Sequence, residues 1–434
     1  MKTLLSIVLS TACVMSLVSP VRSQEMSNVE RGWAQDMLKT VSDEIKKNYY
    51  DPKLHGVDWD AKVAQAQQKI AGSSSLGAAM LYIAATVDSL NDSHTYFYPP
   101  RRAQSYDYGI AYQFVGERCY VTHVRAGSDA ASKGVQPGYE ILTINGHIPE
   151  RKDTWKLDYL FNVLSPQPFL NLLLQLPPNG ASREFQVQAK MRMLKRPTDV
   201  SRSDDREYDS FQRYLHLRTV EYGSDLIIVK FPNFYFSNLE IAEIMNKAQR
   251  FRTMIIDLRG NSGGSADTMQ WFVGGVFDKP VKIADRVTRK QTKELIAKPP
   301  HHVFTGKLIV LVDSQSASAA EIFARVVQLE KRGSIIGDAT SASVMEAKHF
   351  SNSLGGTLAL FYGESITVGD LIMTDGKSLE HIGVTPDIVT LPTQADLTSG
   401  SDPVLARAAE MSGVKLTPEA AGRLFPYEWE PDPE

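Results

Sequence analysis

A chain of 434 residues, 43% hydrophobic and 22% charged, is long enough for two or three domains with cores of their own. Its formal net charge of -3, with no long basic run, argues against a nucleic-acid partner. It has two cysteines, Cys13 and Cys119. Loss of an N-terminal leader removes the first and leaves no internal disulfide.

The leader is legible at residues 1–23. Met1-Lys2 precedes an apolar run from Leu4 to Val18. Ser19-Pro20-Val21-Arg22-Ser23 then offers small residues before a cut at Gln24. The run is short for a membrane span, which needs about 20 apolar residues. The expectation is a secretory signal peptide, hence a periplasmic or secreted chain with no stable membrane span after cleavage.

Residues 24–104 read as a helical domain. Trp33, Met37, Leu38, Val41 and Ile45 fall on one face of a helix, and Val63, Ala66 and Ile70 on one face of a second. Leu76 to Leu90 gives a third, followed by the polar turn Asn91-Asp92-Ser93-His94-Thr95. Residues 105–192 alternate like strands at Gly109–Phe114 and Cys119–Val124. The tight turns Pro137-Gly138 and Asn145-Gly146 flank a further strand. Residues 193–212 are polar and read as a linker.

Residues 213–396 carry strands at Leu226–Phe231, Met254–Leu258, Leu308–Val312 and Ser334–Ile336, alternating with helices. That pattern predicts an α/β core. Residues 286–300 fit either a lid or an exposed loop. Residues 397–434 hold a short terminal helix and a tail.

Three stretches of the core have chemistry-compatible patterns. In Lys307 to Arg325 a buried strand turns through Ser316-Ala317-Ser318 into a helix. A serine there meets free N–H groups and the positive end of a helix dipole, which suits an acyl-transfer nucleophile. Ser318-Ala-Ala-Glu321 also fits a capping box, the commoner role for such a serine. Asp257-Leu-Arg-Gly-Asn261-Ser-Gly263-Gly264 follows another strand, and its paired glycines permit positive φ and close backbone approach to a ligand. The third, Asp375 to Asp387, is a structured loop containing Glu380 and His381.

Together these pieces resemble the tail-specific protease family, the C-terminal processing peptidases and their tricorn-like relatives. Residues 106–190 resemble a PDZ domain, with Tyr108, Gly109 and Ile110 at the peptide-binding loop. The resemblance implies a crotonase-like α/β protease core with an N-terminal helical domain and an inserted PDZ-like β-rich domain. It implies a serine peptidase without metal or cofactor, hydrolysing unstructured or tagged polypeptides through an acyl-enzyme. Matching the motifs puts the nucleophile at Ser318, with Ser316 before it, and the oxyanion donors at the N–H of Ala319 and of Gly263 or Gly264.

The resemblance divides over the base. C-terminal processing peptidases use a lysine downstream of the serine. Here Ser343 aligns with it, and Lys348 needs a shift of register. Tricorn-like members use a histidine preceded by serine, with a distant glutamate. Ser93-His94 and Glu380 match, with His381 a second candidate. Histidine suits the role because its pKa lies near neutrality. The alternative to a Ser318–His94–Glu380 peptidase is a non-catalytic peptide-binding scaffold on a degenerate core.

Overall fold

The first helix begins where Ser27 and Glu30 cap each other reciprocally, and it continues as α1 (Asn28–Asn48), burying Met37, Leu38, Val41 and Ile45. The structure is a computed structural model describing residues 26–177, 180–193, 216–355 and 359–429; the expected leader and most of the expected linker lie outside these. Asp58 caps α2 (Trp59–Ala71) and Ser75 caps α3 (Leu76–Asp88), each accepting a hydrogen bond from a first-turn amide. Among the described residues no helix is long and apolar enough to cross a membrane.

After α3 the chain passes through residues 91–95 into β1 (Tyr96–Tyr98), whose central Phe97 is fully buried. Next come β2 (Gln104–Asp107), β3 (Ile110–Val115) and β4 (Arg118–Val124), then the short α4 (Asp129–Ser132) and β5 (Glu140–Ile144). α5 (Thr154–Asp158) runs on into a π-helical turn, Tyr159–Leu164, ahead of β6 (Phe169–Gln175), β7 (Ser182–Gln188) and β8 (Lys190–Met193). Strands β3 to β7 form one antiparallel sheet in chain order, while β2 and β8 pair separately. Its turns carry positive φ at Gly138, Asn145 and Gly146, where the Pro-Gly and Asn-Gly pairs predict tight turns. Leu172, Phe185 and Val187 of this sheet share an apolar cluster with α1 to α3.

The second half contains β9 (Arg218–Tyr222), β10 (Leu226–Lys230), α6 (Asn238–Ala248), β11 (Thr253–Asp257) and α7 (Ala266–Gly274). A hairpin follows, β12 (Val281–Thr288) and β13 (Thr292–Ala297), then β14 (Lys307–Val312), α8 (Ala319–Leu329) and β15 (Gly333–Gly337). The chain closes with β16 (Glu346–Leu354), β17 (Leu360–Met373), β18 (Ile388–Val389), α9 (Gln394–Ser399), α10 (Pro403–Met411) and α11 (Pro418–Gly422).

The six-stranded sheet runs β18-β15-β14-β11-β10-β9, all parallel except the β9–β10 pair. Its central strands are buried on both faces, which explains their continuous apolar sequence. Ile227, Ile256 and Val310 pack with the helical layer containing Phe272 and Phe323. Their neighbours Ile228, Ile255 and Ile309 point the other way, onto Leu405 and Ala409 of α10. Each such Ile or Leu contributes about 1.5–3 kcal/mol by burial. This double burial fixes the β14–α8 junction rigidly.

A second sheet departs from the sequence reading. The fourteen-residue β17 pairs antiparallel with β1, β12 and β16, and β13 extends it beyond β12. Residues 286–300, read as a lid or loop, mostly belong to the β12–β13 hairpin. Register Tyr96↔Ser365 sews the strand that follows the helical domain into the core.

Candidate active site

Ser318 occupies the junction of β14 and α8 with φ 53° and ψ -117°, backbone angles that a non-glycine residue adopts only when its surroundings impose them. Its N–H donates to the Ser343 carbonyl at 2.9 Å and to Glu321 Oε2 at 3.0 Å. The Glu321 amide reaches the Ser318 carbonyl at 3.0 Å, and the Ser318 side chain makes no capping hydrogen bond. The Glu321 half of the capping box is therefore present, while the serine hydroxyl is left for other use. Ser316 is buried. Its Oγ donates to the Leu258 carbonyl at 2.8 Å and accepts from the Asp313 amide at 3.0 Å, so it braces the turn from below.

The glycine turn packs directly on the serine. A Cβ at Gly263 would lie 2.6 Å from Ser318 Cβ, and one at Gly264 would lie 2.7 Å from the Phe234 carbonyl carbon. With φ of 98° and 146°, both positions require glycine. The Gly263 N–H donates to Asn261 Oδ1 at 2.8 Å, which removes Gly263 from the expected oxyanion donors. Among the described residues, the amides of Gly264 and Ala319 have no hydrogen-bond partner. Ala319 is the first residue of α8, where an orphan N–H is inherent to the helix.

His94 is half-buried, and its Nδ1 lies 2.8 Å from Ser93 Oγ. Glu380 does not bond to His94 as expected, because Ser93 stands between them. Ser93 Oγ donates to Glu380 Oε2 at 2.8 Å, and the Ser93 amide donates to Glu380 Oε1 at 2.8 Å. With its proton committed to the carboxylate, Ser93 Oγ accepts from Nδ1–H of His94, which leaves Nε2 as the basic nitrogen. Glu380 also accepts the Val344 amide at 2.8 Å. Contacts thus run from Ser318 through Ser343 and Val344 to Glu380, Ser93 and His94.

Electrostatics follow from enclosure. Burial lowers the His94 pKa, with His349 adding to the effect and Asp92 opposing it. Burial raises that of Glu380, against the hydrogen bonds from Ser93 and Val344. The backbone at His94 is pinned by Asp92 Oδ1, which accepts the His94 amide at 2.9 Å and the Thr367 hydroxyl at 2.7 Å.

Other candidates lie apart. Lys348 is exposed on β16, opposite Ile366 of β17. His381 Nε2 sits 2.8 Å from the Asn91 carbonyl and 3.5 Å from Glu380 Oε1. Tyr108 is buried with its hydroxyl on the Gln167 carbonyl at 2.8 Å; Ile110 starts β3, and Gly109 just before it has φ 68°.

Sequence reading missed Glu321 as anything beyond a cap. Fully buried, it accepts from Thr340 Oγ1 at 2.5 Å and from the Ala342 and Ser343 amides at 2.8 and 3.0 Å. Burial pushes its pKa up to about 7. It joins the serine to residues 340–343, the segment that aligns with the lysine turn. A glutamate three residues past a strand-to-helix serine was the available signal.

Residues 225–390 match peptidase family S41. A tail-specific protease of Haemophilus influenzae is 26% identical over 268 residues, 57% of this chain and 36% of that protein, so the chain spans about a third of its length. A chloroplastic carboxyl-terminal-processing peptidase 3 of Arabidopsis thaliana is 24% identical over 402 residues, 86% of this chain and 71% of that one. Among solved structures, mature CPAF superposes with a TM-score of 0.64 at 16% identity, covering 86% of this chain and 95% of that one. The photosystem II D1 C-terminal processing protease gives 0.52 at 17%, covering 90% and 99%. At those identities the structural likeness establishes the fold. The serine turn, the glycine turn and Glu380 all fall inside the span that matches peptidase family S41.

Proposed function

We propose that the chain is an exported serine endopeptidase of the tail-specific type, acting on unstructured or tagged polypeptides through an acyl-enzyme. Ser318 Oγ attacks the scissile carbonyl while His94 Nε2 takes its proton and returns it to the leaving amine. The Gly264 and Ala319 amides stabilise the tetrahedral oxyanion, a contribution of about 3–4 kcal/mol per donor in comparable sites. Ser93 and Glu380 hold the histidine in the Nδ1–H tautomer. The observation that carries this reading is the strained Ser318 beside two unpartnered amides.

The sheet β3–β7 is a PDZ-like insert in this reading, and β3 is an edge strand of the kind that accepts an extended chain. The Phe114 and Tyr112 carbonyls on β3 accept from Ser314 Oγ at 2.6 Å and Gln315 Nε2 at 3.3 Å. These bonds set β3 against the turn leading to Ser318.

The test compares Ser318→Ala and His94→Ala on an unfolded protein substrate. Both should lose nearly all turnover, and a fluorophosphonate probe should label the wild type but not Ser318→Ala. Full activity in His94→Ala with loss in Lys348→Ala would move the base to the lysine. No labelling and no turnover would leave the peptide-binding scaffold.

A further inference from the structure

Asp92, two residues before His94, is buried where three parts of the chain meet. Its Oδ1 accepts the His94 amide at 2.9 Å and the Thr367 hydroxyl of β17 at 2.7 Å. Its Oδ2 accepts the hydroxyl of Tyr49, just past the end of α1, at 2.7 Å. A carboxylate can only accept, and each of these three partners is a donor. Tyr49 and Thr367 are themselves fully buried.

The same parts are tied to one another around this carboxylate. The Tyr50 amide donates to the Thr367 carbonyl at 3.0 Å, and the Thr367 amide donates to Thr95 Oγ1 at 3.0 Å. Residues 91–95 lie between α3 and β1, so neither a helix nor a strand fixes the backbone that carries His94. Ser93 and Glu380 hold the ring from one side, and Asp92 holds the backbone from the other.

Asp92 also brings a charge. When His94 takes the Ser318 proton it becomes an imidazolium, which a nearby carboxylate stabilises. Burial works hardest against that charged ring; of its neighbours, Asp92 favours the charge and His349 of β16 opposes it. Glu380 acts on the ring through Ser93, and His381 stands beyond Glu380 at 3.5 Å. Burial raises the pKa of Tyr49 and of Tyr50, so both stay neutral phenols, with His55 Nε2 behind them at 3.4 and 2.9 Å.

We infer that Asp92 is a positioning residue for the base, holding the His94 turn against Tyr49 and Thr367 and stabilising the imidazolium as the proton passes from Ser318 Oγ to Nε2. This deepens the peptidase reading and rests on it. The test measures kcat, KM and kcat/KM–pH profiles on an unfolded protein substrate for the wild type, Asp92→Asn and Tyr49→Phe. Thermal melts check folding, and fluorophosphonate labelling of Ser318 runs beside them.

Asp92→Asn keeps an acceptor for the His94 amide and the Thr367 hydroxyl but loses the charge. Its kcat should fall by about tenfold or more with KM little changed, in line with a hydrogen bond to a charged group. Its acid limb should move to lower pH. A purely structural role predicts the opposite, because a loosened turn lets water reach the ring and moves the limb up. Tyr49→Phe keeps the buried ring and the Asp92 charge while withdrawing one donor. Its kcat should fall by about fivefold or more, and its limb should not move down.

A limb that stays or rises in a folded Asp92→Asn, or an unchanged kcat in Tyr49→Phe, overturns the role while His94→Ala remains inactive and Ser318 still labels. Full activity in His94→Ala would instead remove His94 as the base, and the inference with it.

Discussion

A serine hydroxyl has one proton to donate, and Ser93 gives it to Glu380 at 2.8 Å while accepting from His94 Nδ1 at 2.8 Å. Ser93→Ala would leave the imidazole N–H without its acceptor and the carboxylate short of a donor. An unmade buried hydrogen bond costs about 1–3 kcal/mol, so kcat should fall by roughly 5- to 150-fold with KM little changed. Fluorophosphonate labelling of Ser318 should persist at a reduced rate, and steady-state kinetics beside labelling rates check both. The low His94 pKa also has a sign. The unfolded chain protonates this histidine at its ordinary value of about 6.5, and the native chain only at lower pH. Activity should therefore hold below pH ~6.5 before its acid limb falls, and stability should decline as pH drops through the same range. A limb centred above that value in a kcat/KM–pH profile would contradict the assignment.

At the scale of elements, the strand-to-helix serine and the glycine turn were legible because both depend on local rules. A buried β-branched strand, small residues at a sharp turn and glycines at positive φ leave a direct trace in sequence. Ser93 as a bridge was not legible, since Glu380 lies 287 residues away and no periodicity encodes that meeting. The β12–β13 hairpin and β16 also escaped notice. Their strands are half-exposed, and polar residues such as Lys293, Glu294 and Ser351 dilute the alternation. Glu321 belongs to this scale too, because it fastens α8 to residues 340–343. With its pKa pushed up to about 7, the native state keeps a proton that the unfolded chain loses near 4.5. Between those values stability should fall as pH rises, by up to about 1.4 kcal/mol per unit, and level off above. Glu321→Gln should flatten that slope, as denaturant titrations at pH 5 and pH 8 would show. An unchanged slope would mean that another group titrates there.

Across the whole molecule, the β3–β7 sheet is held to the core from two sides. On one side Arg151 and the Gly116 amide meet Asp338 Oδ2, each at 2.9 Å, just before the segment that Glu321 grips. On the other, the C-terminal tail acts as a strap. Arg218 of β9 bonds to the Pro426 carbonyl at 3.2 Å and to Glu428 at 3.1 Å. Beside this anchor, Tyr427 stacks on His123 of β4 with centroids 4.0 Å apart, and the Arg125 guanidinium sits 4.7 Å from the Trp429 ring. Arg218 and Glu428 are partly exposed, so their ion pair alone contributes little. The aromatic stack and the cation–π contact, at about 0.5–1.5 kcal/mol each, carry the strap. Replacing both Tyr427 and Trp429 by alanine should accelerate amide exchange in β4 by about 5- to 150-fold, matching a loss of about 1–3 kcal/mol. Exchange in β10, β11 and β14, buried on both faces, should stay as it was. Uniform acceleration across both sheets would show that the tail stabilises the molecule as a single cooperative unit, and no acceleration in β4 would show that it does not hold the sheet at all.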